Sequence, residues 1–295
     1  MVPWPPAEFD VDERFVQSLI DQQMPDLCGL ELRSFDEGFD NSLWRLGEEY
    51  LVCLPRRKVA VASLENEIKW LPELAPRLSA AIPIPLRVGS PTTAFPSCWT
   101  VTSWFKGVTA DVAHVGNFAT IARQVGAFLR SLHVPSPSDA PINPFRSVSL
   151  RDRAATFEER MANLPSDLDG RILREVWTTS LDEADGLRTP VWIHGDLHPA
   201  NVVIDNDSLV AVIDFGDLCS GDPATDLAGA LMLLPGGLDE SFTATYGDID
   251  PSLMIRSLGW AVLFSLMFAE LGKQGRMSYY DVGRATLERI IERSR

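Results

Sequence analysis

The chain is poor in cysteine, in positive charge and in long apolar runs. Its 295 residues include four cysteines, Cys28, Cys53, Cys98 and Cys219, with no C-x-x-C pair among them. That argues against a disulfide framework or a thiolate zinc site and suits a reducing compartment. There are 26 lysines and arginines against 41 aspartates and glutamates, a formal charge of −15. Such acidity repels phosphate backbones, so no nucleic-acid partner is expected, whereas a cationic small molecule would be attracted. The longest apolar stretch, 258–269, is too short for a bilayer span and is followed by Glu270. It is expected to be a buried helix, with no membrane partner. The first ten residues lack the basic and apolar regions of a signal peptide, which leads to the expectation of a cytoplasmic location.

What is present suggests an α+β fold. Residues 11–22 carry Phe15, Leu19 and Gln22 at helical spacing, with Asp10 as the expected cap. Residues 30–35, 42–46 and 50–54 read as strands, the last two joined by a turn at Gly47-Glu48-Glu49. Residues 64–78 read as a helix interrupted by Pro72 and Pro76, and 99–104 as a further strand. Phe118, Ile121, Ala122, Val125, Phe128, Leu129 and Leu132 mark a strongly amphipathic helix. A proline-rich connector follows at 134–144, then a charged helical stretch at 150–184. Short strands are expected within 191–215 and helices from 225 onward. No internal repeat is visible.

The segment that carries chemistry is His194-Gly195-Asp196-Leu197-His198-Pro199-Ala200-Asn201, followed by Ile213-Asp214-Phe215-Gly216. Phosphoryl transfer needs a carboxylate to take the proton of the attacking hydroxyl, and oxygen ligands for the magnesium that screens the phosphates. The D-x-x-x-x-N pattern followed by an apolar run ending in D-F-G places these groups in the order of a kinase catalytic loop. A zinc site on His194 and His198 is disfavoured, because Gly195 and Pro199 prevent the helix that would align them.

These residues, together with Gly221-Asp222-Pro223-Ala224-Thr225-Asp226 and the upstream Glu37-Gly38-Phe39-Asp40-Asn41-Ser42-Leu43-Trp44-Arg45, resemble the aminoglycoside phosphotransferase family over nearly the whole chain. The resemblance implies a protein-kinase-like two-lobe fold. A nucleotide-binding lobe would span 1–104, with an antiparallel sheet and a helix, and a larger, mainly helical lobe would span 105–295. It implies a kinase that moves the γ-phosphoryl group of ATP or GTP to a hydroxyl of an antibiotic or small metabolite. Asp196 would be the base, His194 would orient the loop, and Asn201 and Asp214 would hold magnesium (Mg2+). Asp226 would be a structural acceptor. Gly38 and Asn41 would cover the nucleotide, and Val101 and Ser103 would lie on the strand leading to the base-reading hinge. Monomer and homodimer are both compatible.

One position departs from the family pattern. Cys53 stands where a phosphate-holding base is expected, while Glu67 matches the glutamate that would pair with that base. Either Arg56, Arg57 or Lys58 supplies the charge, or the protein is a nucleotide- or ligand-binding pseudokinase without turnover. The acceptor is open as well. Asp167, Asp169, Asp182, Glu183 and Asp185 could meet a cationic aminoglycoside, or could simply be a solvated face. Trp260, Phe264 and Met267 could line an apolar pocket of the kind a macrolide needs.

Overall fold

The computed structural model describes residues 6–9, 11–38, 40–184, 189–273 and 275–295. The first helix, α1 (Glu13–Gln23), is capped by Asp12, whose carboxylate accepts from the Phe15 amide at 2.8 Å. The expected cap, Asp10, lies outside the described residues. The buried face of α1 is Val16, Leu19 and Ile20, and Gln22 is exposed. A five-stranded antiparallel sheet follows, built from β1 (Leu32–Glu37), β2 (Asn41–Leu46), β3 (Tyr50–Pro55), β4 (Arg87–Gly89) and β5 (Trp99–Ser103) in the order β1-β2-β3-β5-β4. Alternation puts Trp44, Leu46, Val52 and Leu54 on the face that packs with α1, Trp99 and Val101 into one apolar cluster.

Between β3 and β4 lies α2 (Val59–Leu74). It starts earlier than its apolar pattern suggests and runs through Pro72. A proline close to a helix end removes one ladder hydrogen bond without ending the helix, and a 3-10 turn at Ala75–Arg77 continues the chain past Pro76. The C-terminal half of α2 (Trp70, Leu71, Leu74) belongs to the second, larger apolar cluster. There the Trp70 ring meets Trp192 edge-on, with centroids 4.9 Å apart.

The larger lobe begins with β6 (Val108–Thr109) and α3 (Phe118–Leu132), whose cap is Asn117. A 3-10 turn, Leu150–Arg153, carries a reciprocal capping box between Ser149 and Asp152 and leads into α4 (Ala154–Met161) and α5 (Gly170–Asp182). Four short strands then frame the chemistry: β7 (Val191–Ile193), β8 (Val202–Asp205), β9 (Ser208–Val212) and β10 (Cys219–Gly221). They form two small sheets, β7-β10 and β6-β8-β9. The chain ends in α6 (Ala224–Leu233), α7 (Glu240–Tyr246), α8 (Pro251–Gly272) and α9 (Met277–Arg293).

By composition α8 is long and apolar enough to cross a membrane, yet 72% of its most apolar window is buried inside the fold. Every residue of α6 is buried, and its backbone lies directly on the catalytic loop: a Cβ added to Gly229 would overlap the Leu197 carbonyl oxygen. Gly229→Ala is therefore expected to push α6 off this loop. A loss of about 1–3 kcal/mol of stability, typical of overpacking, should appear in urea denaturation. A change within about 0.5 kcal/mol would show that the contact yields easily.

Candidate active site

The catalytic loop is held by its backbone. Asp226, with no solvent exposure, accepts from the His194 amide at 2.7 Å and the Gly195 amide at 2.9 Å. It also lies 3.1 Å from His133 Nε2, and the other nitrogen of that ring meets the Tyr246 hydroxyl at 2.9 Å. Gly195 turns at φ 82°, a left-handed conformation that glycine adopts without strain. His194 is fully buried, its ring tilted 54° to that of Phe215 with centroids 4.5 Å apart. Its Nε2 lies 3.0 Å from the Ile213 carbonyl, and its Nδ1 faces the Asp196 amide at 3.2 Å. A carbonyl only accepts and an amide N–H only donates, so Nε2 carries the proton and Nδ1 the lone pair. The ring thus ties the Asp196 loop to the strand entering Asp214.

Asp196 lies between Arg146 and His198. Arg146 Nη2 donates to its Oδ1 at 2.7 Å, and His198 Nε2 lies 3.3 Å from its Oδ2. Burial opposes the ionisation of Asp196, but His198 and Arg146 together outweigh burial and hold its carboxyl far below the usual range. His198, weighed in the sequence as a disfavoured zinc ligand, thus faces the Asp196 carboxylate directly. Asn201 donates through Nδ2 to the Asp196 carbonyl at 3.0 Å. Its Oδ1 has no hydrogen bond among the described residues. Asp214, in the left-handed region at φ 63°, likewise makes no hydrogen bond or ion pair among them. Burial first, then repulsion from Asp196, raises its pKa. Two hard oxygen donors left open beside a buried negative charge fit a magnesium ion well.

The nucleotide side is arranged around β1, β2 and β3. The Gly38 amide donates to the Asn41 carbonyl at 2.9 Å, and the Gly38 carbonyl accepts from Arg56 Nη1 at 3.0 Å. Arg57 pairs with Asp40 at 2.8 Å. Two of the three candidate replacement cations therefore clasp the covering loop. Asn41 Oδ1 is buried without a partner. Val101 is fully buried, and its carbonyl accepts from the Leu86 amide at 2.8 Å. Ser103 pairs with Tyr50 at the end of β5, beyond the reach of β4.

Cys53 lies on β3, opposite Leu43 of β2 and Thr100 of β5, and its thiol is close enough to Glu67 and Asp214 to feel their charge. Burial, then Glu67 and Asp214, push its thiol well above the ordinary value. Glu67 faces the same point, with Oε1 3.8 Å from where a Cβ of Gly216 would lie, against 3.4 Å for Asp214 Oδ1. Burial and then Asp214 raise its pKa to about 8, with no cationic side chain offsetting them.

Three residues of the site carried no sequence signal. Arg146 bridges Asp196 and, through Nε at 3.0 Å, Asp217, which Asn143 holds at 2.8 Å. Asn143 and Arg146 lie in and just after the connector, where no periodicity marks them, and Asp217 directly follows the Ile213–Gly216 segment without a signal of its own. Of the five acidic residues weighed for a cationic acceptor, two have other roles. Asp167 pairs with Arg284 at 2.5 Å, Asp169 caps α5, Asp182 is exposed, and Asp185 lies outside the described residues.

The family model described as "Phosphotransferase enzyme family" (APH) matches residues 31–253. The chain belongs to this family. Solved structures agree on the fold. The GDP complex of aminoglycoside 2'-phosphotransferase-IIIa superposes with a TM-score of 0.70 at 20% identity, covering 96% of this chain and 99% of that one. Macrolide 2'-phosphotransferase MphH from Brachybacterium faecium gives 0.60 at 20% identity, covering 92% and 96%. A streptomycin–ATP complex of APH(2'')-IIa gives 0.58 at 20% identity, covering 88% and 90%. The phosphotransferase fold thus spans the chain, with the catalytic loop at 194–201 well inside the matched region.

The raised pKa of Glu67 has a thermodynamic consequence. The folded protein keeps a proton that the unfolded chain releases near 4.5, so this group's contribution to stability is fully present below pH 4.5 and is lost as pH rises through about 8. Glu67→Gln removes the titration. Its melting temperature is expected to exceed that of the parent at pH 9, by on the order of 1 kcal/mol of stability, and to match it near pH 4. Parallel melting curves from pH 4 to 9 would show Glu67 to be an ordinary carboxylate.

Proposed function

We propose that this phosphotransferase is a small-molecule kinase that moves the γ-phosphoryl group of ATP or GTP to an acceptor hydroxyl, with 1–104 as the nucleotide lobe and 105–295 as the catalytic and acceptor lobe. The observation that carries the reading is the convergence on one point of Asp196, held as a carboxylate, with the open oxygens of Asn201 and Asp214. The acceptor oxygen attacks the γ-phosphorus while its proton passes to the Asp196 carboxylate. The bond from the γ-phosphorus to the bridging oxygen breaks, and nucleoside diphosphate leaves. Because Asp196 is a weak base, its part is chiefly to orient the hydroxyl and receive the proton as the new bond forms. His194 keeps its backbone in place, and His198 and Arg146 set its side chain.

Magnesium, held by Asn201 and Asp214, would screen the phosphate charge. Gly38 and Asn41 lie on the loop that would cover the phosphates, Arg56 fixes that loop, and the end of β5 at Ser103 leads to the base. Val101 contributes by building this strand. The aminoglycoside and macrolide enzymes of the same fold suggest a hydroxylated antibiotic or metabolite as acceptor. A need for nucleoside triphosphate suits the cytoplasm.

Cys53 favours a second reading, a pseudokinase, because the pocket lacks the cation that would pair with Glu67. Transfer from ATP and GTP across aminoglycosides, macrolides and hydroxylated metabolites separates the two. Acceptor-dependent diphosphate release is expected, and Asp196→Asn should cut kcat by at least about 100-fold while keeping the thermal shift produced by magnesium–nucleotide. Retained turnover in that variant would remove Asp196 from the base role. No turnover together with no nucleotide shift would establish the pseudokinase. As a converse test, Cys53→Lys should restore a partner for Glu67 and tighten nucleotide binding by about tenfold, read by calorimetry. Unchanged affinity would show that phosphate charge is met elsewhere.

A further inference from the structure

Of the four arginines between residues 146 and 160, Arg151 is exposed and the other three, Arg146, Arg153 and Arg160, are partly shielded, in a chain whose net charge is strongly negative. Two have evident partners. Arg146 binds Asp196 and Asp217, and Arg160 pairs with Glu270 of α8. Arg153 does not. Its guanidinium lies 5.3 Å from the centroid of the Phe145 ring, its Nε is buried without a hydrogen-bond partner, and it makes no ion pair among the described residues. Burial, then Arg146, then Arg160 lower its pKa, and no carboxylate offsets them. Holding a partly buried guanidinium beside two others is unfavourable unless something negative completes the group.

The surroundings suggest what that is. Phe145 is 58% exposed, so an apolar ring stands open beside Arg153. Arg146 lies over Phe264 at 4.8 Å, and the wall continues through Phe268 and Tyr279, stacked 4.5 Å apart, which meet His198 edge-on. These groups come from the helical lobe, whereas the covering loop comes from the sheet lobe. Through Arg146 and His198, which touch Asp196, these rings adjoin Asp196 on the side that the proposed function leaves to the acceptor. Asp111, whose Oδ1 is buried without a partner and whose charge acts on Tyr279, is the group there that a cationic acceptor would use.

We propose that Arg153 binds an anionic group, a carboxylate or a phosphate, on an acceptor whose hydroxyl is presented to Asp196. The inference rests on Asp196 marking the acceptor side, but its test does not depend on turnover. Calorimetry on the full chain saturated with magnesium–ADP would compare small hydroxy acids, sugar phosphates, inorganic phosphate, neutral sugars and aminoglycosides. Hydroxylated anions are expected to bind at least about tenfold tighter than neutral analogues. Which of the hydroxy acids and the sugar phosphates binds tighter identifies the anion. Arg153→Gln should abolish the preference while keeping the magnesium–ADP thermal shift, and Arg153→Lys should recover part of it. In turnover, Arg153→Gln should raise KM more than it lowers kcat. Neutral or cationic ligands binding as tightly as anions, or Arg153→Gln leaving anion affinity intact, would overturn the proposal. If Arg153→Gln fails to fold, the parent's ligand ranking and Arg153→Lys decide it. Anion selectivity without any phosphoryl transfer would count against the kinase reading alone, and transfer restricted to neutral or cationic hydroxyls would count against the anion site alone.

Discussion

A carboxylate with no contact with solvent, that of Asp226, accepts hydrogen bonds from the backbone of His194 and Gly195 and meets the His133 ring. Without those amides a buried charge would be expensive, and without the charge the loop between β7 and Asn201 would have no anchor on α6. The remaining geometry of the site follows from this bond set. It fixes the left-handed turn at Gly195, which sets where Asp196 emerges. It also places His194 so that one ring spans from the Asp196 amide to the strand leading into Asp214. The close seat of Gly229 against Leu197 belongs to the same joint, since only a residue without a side chain lets α6 come near enough for Asp226 to reach.

Charge balance distinguishes this site from a plain array of oxygens. On the side of Asp196 the negative charge has partners: Arg146 pairs with both Asp196 and Asp217, and His198 lies against Asp196. On the side of Asp214 no ion pair is formed among the described residues by Asp214, Glu67 or the Cys53 thiol; burial first, then Asp196 acting on Asp214, Asp214 on Glu67, and both Glu67 and Asp214 on Cys53, push these groups toward their protonated forms. The two sides of the site therefore differ in how their charges are paired. A net charge of −15 conceals this division, because net charge says nothing about local sign.

The stretches most legible in the sequence are those whose partners lie close along the chain. Asp196, Asn201 and Asp214 sit within one strand–loop–hairpin unit, where spacing nearly dictates proximity. The amphipathic α3 was visible because its apolar stripe repeats at helical steps. The hairpin of β2 and β3 declared itself through alternation and a turn. Boundaries were less legible. Asp12 rather than Asp10 caps α1, and α2 passes through Pro72, because a local penalty of that size is offset by burying Trp70, Leu71 and Leu74.

The sequence by itself determined the order of the catalytic groups, the family and the two-lobe α+β architecture, since each of these is written in local patterns of polarity and spacing. Only the tertiary structure decided which charges meet. Arg146 reaches Asp196 across 50 positions, Glu67 approaches Asp214 from the other lobe, and Arg153 is left beside two like charges. Electrostatic energy depends on separation in space and on local solvation, and neither is encoded by position along the chain.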